Sequence, residues 1–196
     1  AVSKTRPAED IRQAIACGQT CFGENYVQEA LGKIGQTNEL DIEWHYIGPL
    51  QSNKTKDAAR YFDWVQSVDR AKILRRLSAQ RPENLPPLNV CIQVNIDREP
   101  QKSGAMPEDS AGRASLASEL PWLNIRRQRC IPRVASAGHD PADSYAHLHD
   151  LYRGLLNQGI PMDTLSMGMS ADLEAAVLNG STMVRIGTDL FGRRPS

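Results

Sequence analysis

The chain has 196 residues, 40% hydrophobic and 23% charged, which excludes a disordered or fibrous protein and suffices for one sizeable core in a single domain spanning residues 1–196. Lysine plus arginine and aspartate plus glutamate each number 23, for a formal charge of zero, so no overall field draws the chain to nucleic acid or to an anionic membrane. No apolar run approaches the roughly 18 residues of a membrane span, no basic-then-apolar leader opens the chain, and Cys17, Cys21, Cys91 and Cys130 are too scattered for a disulfide scaffold, all of which predicts a cytoplasmic protein with reduced thiols.

The expected elements begin with a short strand at residues 2–3 that runs into Lys4. Pro7 then opens a helix with apolar positions at Ala8, Ile11, Ala14 and Ile15, and Gly18 closes it. A strand at 21–23 precedes a helix over 26–34, and a strand at 44–48 precedes a polar helix through 56–61. The next pairs are 64–68 with 71–80 and the apolar 88–96 with 110–119. A strand at 125–131, a loop over 132–141 and a helix over 142–157 follow. A strand at 164–167, a helix at 171–178 and a last strand at 183–187 complete the chain. Eight strand candidates alternating with helices predict parallel βα units closed into a (β/α)8 TIM-type barrel. The alternative, a doubly wound open sheet, lacks a G-x-G-x-x-G after its first strand. The strand at 125–131 fits poorly. Period-two alternation puts Arg127 and Arg129 on one face and Arg126 and Gln128 on the other, where a strand covered on both sides should be apolar.

In such barrels the working residues sit at the carboxyl ends of the strands, and the last two loops often hold phosphate. The seventh strand ends in Met167-Gly168-Met169-Ser170 and the eighth in Arg185-Ile186-Gly187-Thr188. Bare backbone, hydroxyls and a guanidinium at one end suggest a phosphate cup. A simple helix cap at Ser170 and a turn at Gly187 explain the same residues equally well, and Asp172 opposes an anion there. Lys4 ends the first strand, beside the eighth in a closed barrel, and is a Schiff-base candidate, with a solvated surface lysine as the alternative. Asn25 and His45 end the second and third strands and are candidates for the pocket mouth, against a turn residue and a core histidine. The histidines and cysteines show no metal-ligand spacing, no G-x-S-x-G elbow appears, and the cluster Arg126, Arg127, Arg129 and Arg133 lacks the aromatic platform of a nucleic-acid surface.

The strings AVSKTRP, FGENYVQEA, WHYIGPLQSNK, PPLNVCIQVNI with the later KSG, and LSMGMSADLEAAVLNGSTMVRIGTDLFG together resemble the pyridoxal-phosphate homeostasis proteins of the YggS/PROSC type, in the right order over nearly the whole chain. The resemblance implies a barrel like the N-terminal domain of bacterial alanine racemase, of the type III pyridoxal 5′-phosphate (PLP) fold. It implies PLP held as a Schiff base on Lys4, its phosphate on Ser170, Arg185, Gly187 and Thr188, Met169 alongside, and Asn25 and His45 near the cofactor. The implied role is intracellular PLP homeostasis, buffering the cofactor or delivering it to apo enzymes, by a monomer without turnover. A racemase of this fold needs a second base from a further domain, for which these residues leave no room. The competing readings are a PLP-dependent racemase or decarboxylase, with Tyr46 or Lys54 as second base, a barrel that has lost its cofactor, and a Schiff-base aldolase. Two departures stand out. The family has a helix and the start of a strand before VSKT, and its sixth strand usually reads Arg-Gly-Leu-Met where this chain has Arg126-Arg127-Gln128-Arg129. An unpaired charge buried there costs several kcal/mol, which predicts trouble for folding or PLP retention.

Overall fold

The computed structural model describes residues 1–130 and 140–192. Seven parallel strands form one sheet in chain order. They are β1 Cys21–Glu24, β2 Glu43–Tyr46, β3 Trp64–Val68, β4 Leu88–Val94, β5 Leu123–Cys130, β6 Thr164–Met169 and β7 Met183–Arg185. The helices between them are α1 Ala8–Ala16, α2 Val27–Gln36, α3 Thr55–Tyr61, α4 Ala71–Gln80, α5 Ser110–Glu119, α6 Pro141–Asn157 and α7 Leu173–Leu178, with a short α8 Thr188–Phe191 after β7.

The opening segment of the chain bridges the first and last strands of the sheet. Gly23 N donates to Ala1 O at 2.7 Å and Ser3 N to Gly23 O at 3.1 Å, while Val2 N donates to Ile186 O at 2.7 Å. The extended segment 1–3 is thus hydrogen-bonded to β1 on one side and to the end of β7 on the other, as the first strand of a (β/α)8 barrel must be. The short first strand expected at 2–3 is this segment.

Local chemistry sets most boundaries. Pro7 sits extended before α1, its fixed φ suited to a helix start. Asp140 caps α6 by accepting from Ala142 N at 2.9 Å, with Pro141 in the first turn. β3 is buried at every position, as a strand covered on both faces should be. Phe22, Val65, Leu74, Leu77, Val90, Ile92 and Leu165 belong to a core that joins strands to helices. Several ends differ from expectation by a few residues, and two of these have a visible cause. α7 starts at Leu173 because Asp172 folds back, Oδ1 accepting from Met169 N at 2.6 Å, and β7 stops at Arg185 because Gly187 leads into α8.

The arginine-bearing strand β5 does form. Its register against β4 slips between Val90 and Cys91, which pair with Ile125 and Arg127, so Arg126 is the extra residue of a bulge. The slip sets Arg129 opposite Gln93. Arg129 is buried, and its Nη1 donates to Ile47 O at 2.9 Å and Gln66 O at 3.3 Å. The expectation that this strand cannot hold its charges is therefore corrected at Arg129, because main-chain carbonyls of Gln66 in β3 and of Ile47 just after β2 accept from the guanidinium. The side chains of Arg126, Arg127 and Gln128, and the loop positions 132–139, lie outside the described residues.

Candidate functional site

A cavity of about 610 Å³ opens at the carboxyl ends of the strands. Lys4, Asn25, Met169, Ser170, Arg185, Gly187 and Thr188 all line it, so seven of the eight expected site residues meet in one place. His45 does not line it.

Lys4 is placed by its neighbours. Ser3 Oγ donates to Glu24 Oε1 at 2.6 Å, and Lys33 Nζ donates to Ser3 O at 2.7 Å, Glu24 Oε1 at 2.7 Å and Glu29 Oε1 at 2.6 Å. Thr5 N donates to the same Glu29 oxygen at 2.5 Å. Thr5 takes φ +64°, a left-handed conformation costly for a β-branched residue, and it turns the chain immediately after Lys4. One connected cluster, buried at Ser3, Glu24 and Lys33 and open to solvent at Thr5, thus holds the residues on both sides of Lys4. Burial pushes the Glu24 carboxyl up, and the hydrogen bonds from Lys33 and Ser3 pull it back.

The opposite side of the cavity is built from β6 and β7. Gly168, at φ +97°, allows β6 to end close against α7, where a Cβ would meet Ala176 Cβ at 2.5 Å. Ser170, Gly187 and Thr188 then present hydroxyls and open backbone. The Asp172 carboxylate is committed to the Met169 amide, so it closes its own turn and takes that donor from any anion. Asn25 Oδ1 is buried with no hydrogen-bond partner among the described residues, and an acceptor left this way in a cavity wall suits a ligand that donates to it.

Arg185 is buried, and its Nη1 donates to Ser166 Oγ at 2.8 Å. His45 lies behind it, stacked on Trp64 with ring centroids 5.4 Å apart. His45 Nε2 lies 2.7 Å from Glu43 Oε1 and Nδ1 lies 2.7 Å from Gln66 Nε2. The hydrogen bond with His45 is the main reason the Glu43 carboxyl titrates at about 2 instead of 4.5. A carboxyl lowered by folding adds stability above its unfolded pKa and loses it as pH falls through the folded value. The stability difference between the wild type and Glu43→Gln should therefore shrink as pH falls from 4.5 towards about 2, in urea melts at stepped pH. A difference unchanged across that window contradicts the assignment. With the Glu43 side chain 42% exposed, solvent screening keeps the amplitude modest.

Sequence reasoning missed several cavity residues. Arg129, beyond the β5 bulge, and Gln93, near the end of β4, line the cavity, and Lys102 reaches it from the loop after β4; the KSG string was the available signal for Lys102. Reading His and Cys spacing also passed over Cys21, Glu43 and His45, whose ligand atoms lie within 4.8 Å of one another because β1 and β2 are adjacent. The two second-base candidates stand apart from the cavity. Tyr46 is buried, its hydroxyl donates to Pro49 O at 3.0 Å, and burial pushes it up to about 12; Lys54 is not among the lining residues. No helix among the described residues is long and apolar enough to cross a membrane.

Comparison with known proteins places the fold in a family. The family described as alanine racemase, N-terminal domain, matches residues 1–195. The chain is 53% identical over 194 residues to a pyridoxal phosphate homeostasis protein of Pseudomonas aeruginosa, covering 99% of this chain and 83% of the relative. It is 48% identical over 197 residues to the Escherichia coli K12 protein of the same name, covering 99% and 84%. Among solved structures, PipY of Synechococcus elongatus PCC7942 with PLP bound has a TM-score of 0.90 at 37% identity, over 98% of this chain and 91% of that one. An alanine racemase of Clostridium difficile 630 has a TM-score of 0.75 at 14% identity, covering 100% of this chain and 52% of that one, a likeness of fold alone. The chain belongs to the alanine racemase N-terminal domain family, together with the pyridoxal phosphate homeostasis proteins.

Proposed function

We propose that this protein binds pyridoxal 5′-phosphate covalently through Lys4 and serves intracellular homeostasis of that cofactor as a cytoplasmic, monomeric carrier. The observation that carries the reading is that Lys4 and the residues Ser170, Gly187 and Thr188 face one cavity of about 610 Å³, a size suited to a small cofactor. The residues fit the group. Ser170 and Thr188 offer hydroxyls to a phosphate, Gly187 lets the backbone approach it, Asn25 supplies an unused acceptor, and Arg185 adds positive charge beneath. When bound, the cofactor would supply an aldehyde, which the Lys4 amine would hold covalently with loss of one water.

A carrier role is the reading that the names of the relatives support. Of the side chains that could serve as a second acid or base, Lys102 lines the cavity and is ion-paired with Glu99 at 2.5 Å, and the Tyr46 hydroxyl donates to Pro49 O. The relatives are named as homeostasis proteins, and delivery to apo PLP-dependent enzymes is the corresponding partner reading. The test is the visible spectrum of the purified chain with added PLP, followed by borohydride reduction and peptide mapping. The expected result is a Schiff-base band with the phosphopyridoxyl mass on Lys4 and no turnover of added amino acids. Label scattered over surface lysines sinks the reading, and steady amino-acid turnover replaces the carrier with an enzyme.

A further inference from the structure

We propose that Gln66 and Ser166 are positioning residues: a one-way hydrogen-bond relay from Arg185 through Ser166, Gln66 and His45 to Glu43 holds the Arg185 guanidinium in place at the cavity. The inference rests on the PLP-binding reading for its consequence, though the relay exists without the cofactor. Its links measure 2.8 Å from Arg185 Nη1 to Ser166 Oγ, 3.0 Å from Ser166 Oγ to Gln66 Oε1, 2.7 Å from Gln66 Nε2 to His45 Nδ1, and 2.7 Å from His45 Nε2 to Glu43 Oε1.

Donor chemistry gives the chain its direction. A guanidinium only donates, so Ser166 Oγ accepts from it and spends its own proton on Gln66 Oε1. The amide nitrogen of Gln66 then faces His45, whose Nδ1 must accept. The imidazole proton is left on Nε2, where it meets the Glu43 carboxylate. Every proton position follows from the first, and reversing one link would set two donors or two acceptors against each other. The chain runs from a cation to an anion through buried neutral groups, so the bond dipoles align and strengthen one another. Ser166, Gln66 and His45 are each buried, beside a small cavity of about 50 Å³ lined by His45, Gln66 and Arg185. Gln66 serves a second cavity arginine as well, since its main-chain oxygen accepts from Arg129 Nη1 at 3.3 Å. Neither Gln66 nor Ser166 lines the main cavity, so an effect on the ligand must travel through the arginines.

Two measurements on the full chain test this, with melting temperature as the control for folding. In the ligand-free protein, nitrogen NMR of His45 should show the neutral Nε2–H tautomer, and Gln66→Met, which removes the donor to Nδ1 but leaves the Glu43 carboxylate on Nε2–H, should keep that tautomer and shift the Nδ1 resonance. With added PLP, Ser166→Ala and Gln66→Met should weaken binding by roughly tenfold, the scale of one hydrogen bond to a charged group, and shift the visible absorption maximum of the bound cofactor. Ser166→Thr, which keeps the hydroxyl, should restore both affinity and band. The relay is overturned by an Nδ1–H tautomer in the wild type, or by folded Ser166→Ala and Gln66→Met variants with wild-type affinity and band. If those two variants do not fold, Gln66→Glu replaces them: it sets an acceptor in place of the donor to His45 Nδ1, and an unchanged tautomer and band overturn the proposal. A wild-type chain that takes no label on Lys4 but shows the Nε2–H tautomer removes the PLP reading and leaves the relay standing.

Discussion

Lys33→Met should lower the stability of the protein by about 3–5 kcal/mol, the loss typical of removing one partner from a buried ion pair. Lys33 is 5% exposed and Glu24 is fully buried, so the substitution strands a carboxylate with no other cation paired to it among the described residues. Typical domains are stable by about 5–15 kcal/mol, and a loss of this size consumes much of that margin. The damage extends to the site, because the Lys33 ammonium also binds Ser3 O and the Glu29 carboxylate that holds Thr5 N. Urea denaturation should show the loss of stability, and phosphopyridoxyl labelling of Lys4 should fall with it. Adding Glu24→Gln to Lys33→Met should recover part of the stability by removing the stranded charge. A single-variant loss below about 1 kcal/mol, the scale of an exposed pair, contradicts this account.

Gly48→Ala should be similarly severe for a different reason. A Cβ at Gly48 would lie 1.9 Å from Asn25 O, 2.7 Å from Asn25 C and 2.8 Å from Asn25 Cα. These are main-chain atoms, so no rotamer change relieves the overlap, and the loops after β1 and β2 must separate. A cost of about 3 kcal/mol is expected, the upper end of overpacking penalties, together with weaker PLP binding as Asn25 leaves the cavity wall. Gly32→Ala and Gly35→Ala provide the contrast. Both lie in α2 with nothing within 4 Å of a new Cβ, and each should stabilise by about 0.5–1 kcal/mol through helix propensity. Thermal melts and PLP titrations of the three variants distinguish the cases, and a Gly48→Ala protein with wild-type stability and affinity would refute the close contact.

What the sequence makes legible here follows from the range of each interaction. α4 and α5 begin and end where apolar spacing and flanking residues place them, because helix signals are local. Lys4, Ser170, Gly187 and Thr188 were readable because barrel strands deliver their ends to one face. α8 was not readable, since four residues are too few to show a period. The burial of Lys33 was hidden for another reason: a lysine on a helix reads as solvent-facing until the fold places Glu24 beneath it. Arg129 was misjudged because simple alternation has no provision for a bulge. The contact between Ser166 and Gln66 joins residues 100 positions apart, and no spacing rule reaches that far.

The cavity concentrates charge that the chain as a whole does not carry. Lys4, Arg6, Lys102, Arg129 and Arg185 line it without an acidic residue among the described lining, Asp10 and Glu99 pairing with Arg6 and Lys102 from outside it, in a protein whose formal charge is zero. The field is therefore local, and at physiological ionic strength it fades over a Debye length of about 8 Å. An anionic ligand gains little guidance from afar and a strong pull at the mouth, so arrival rates rise at low salt while the rest of the surface attracts no polyanion.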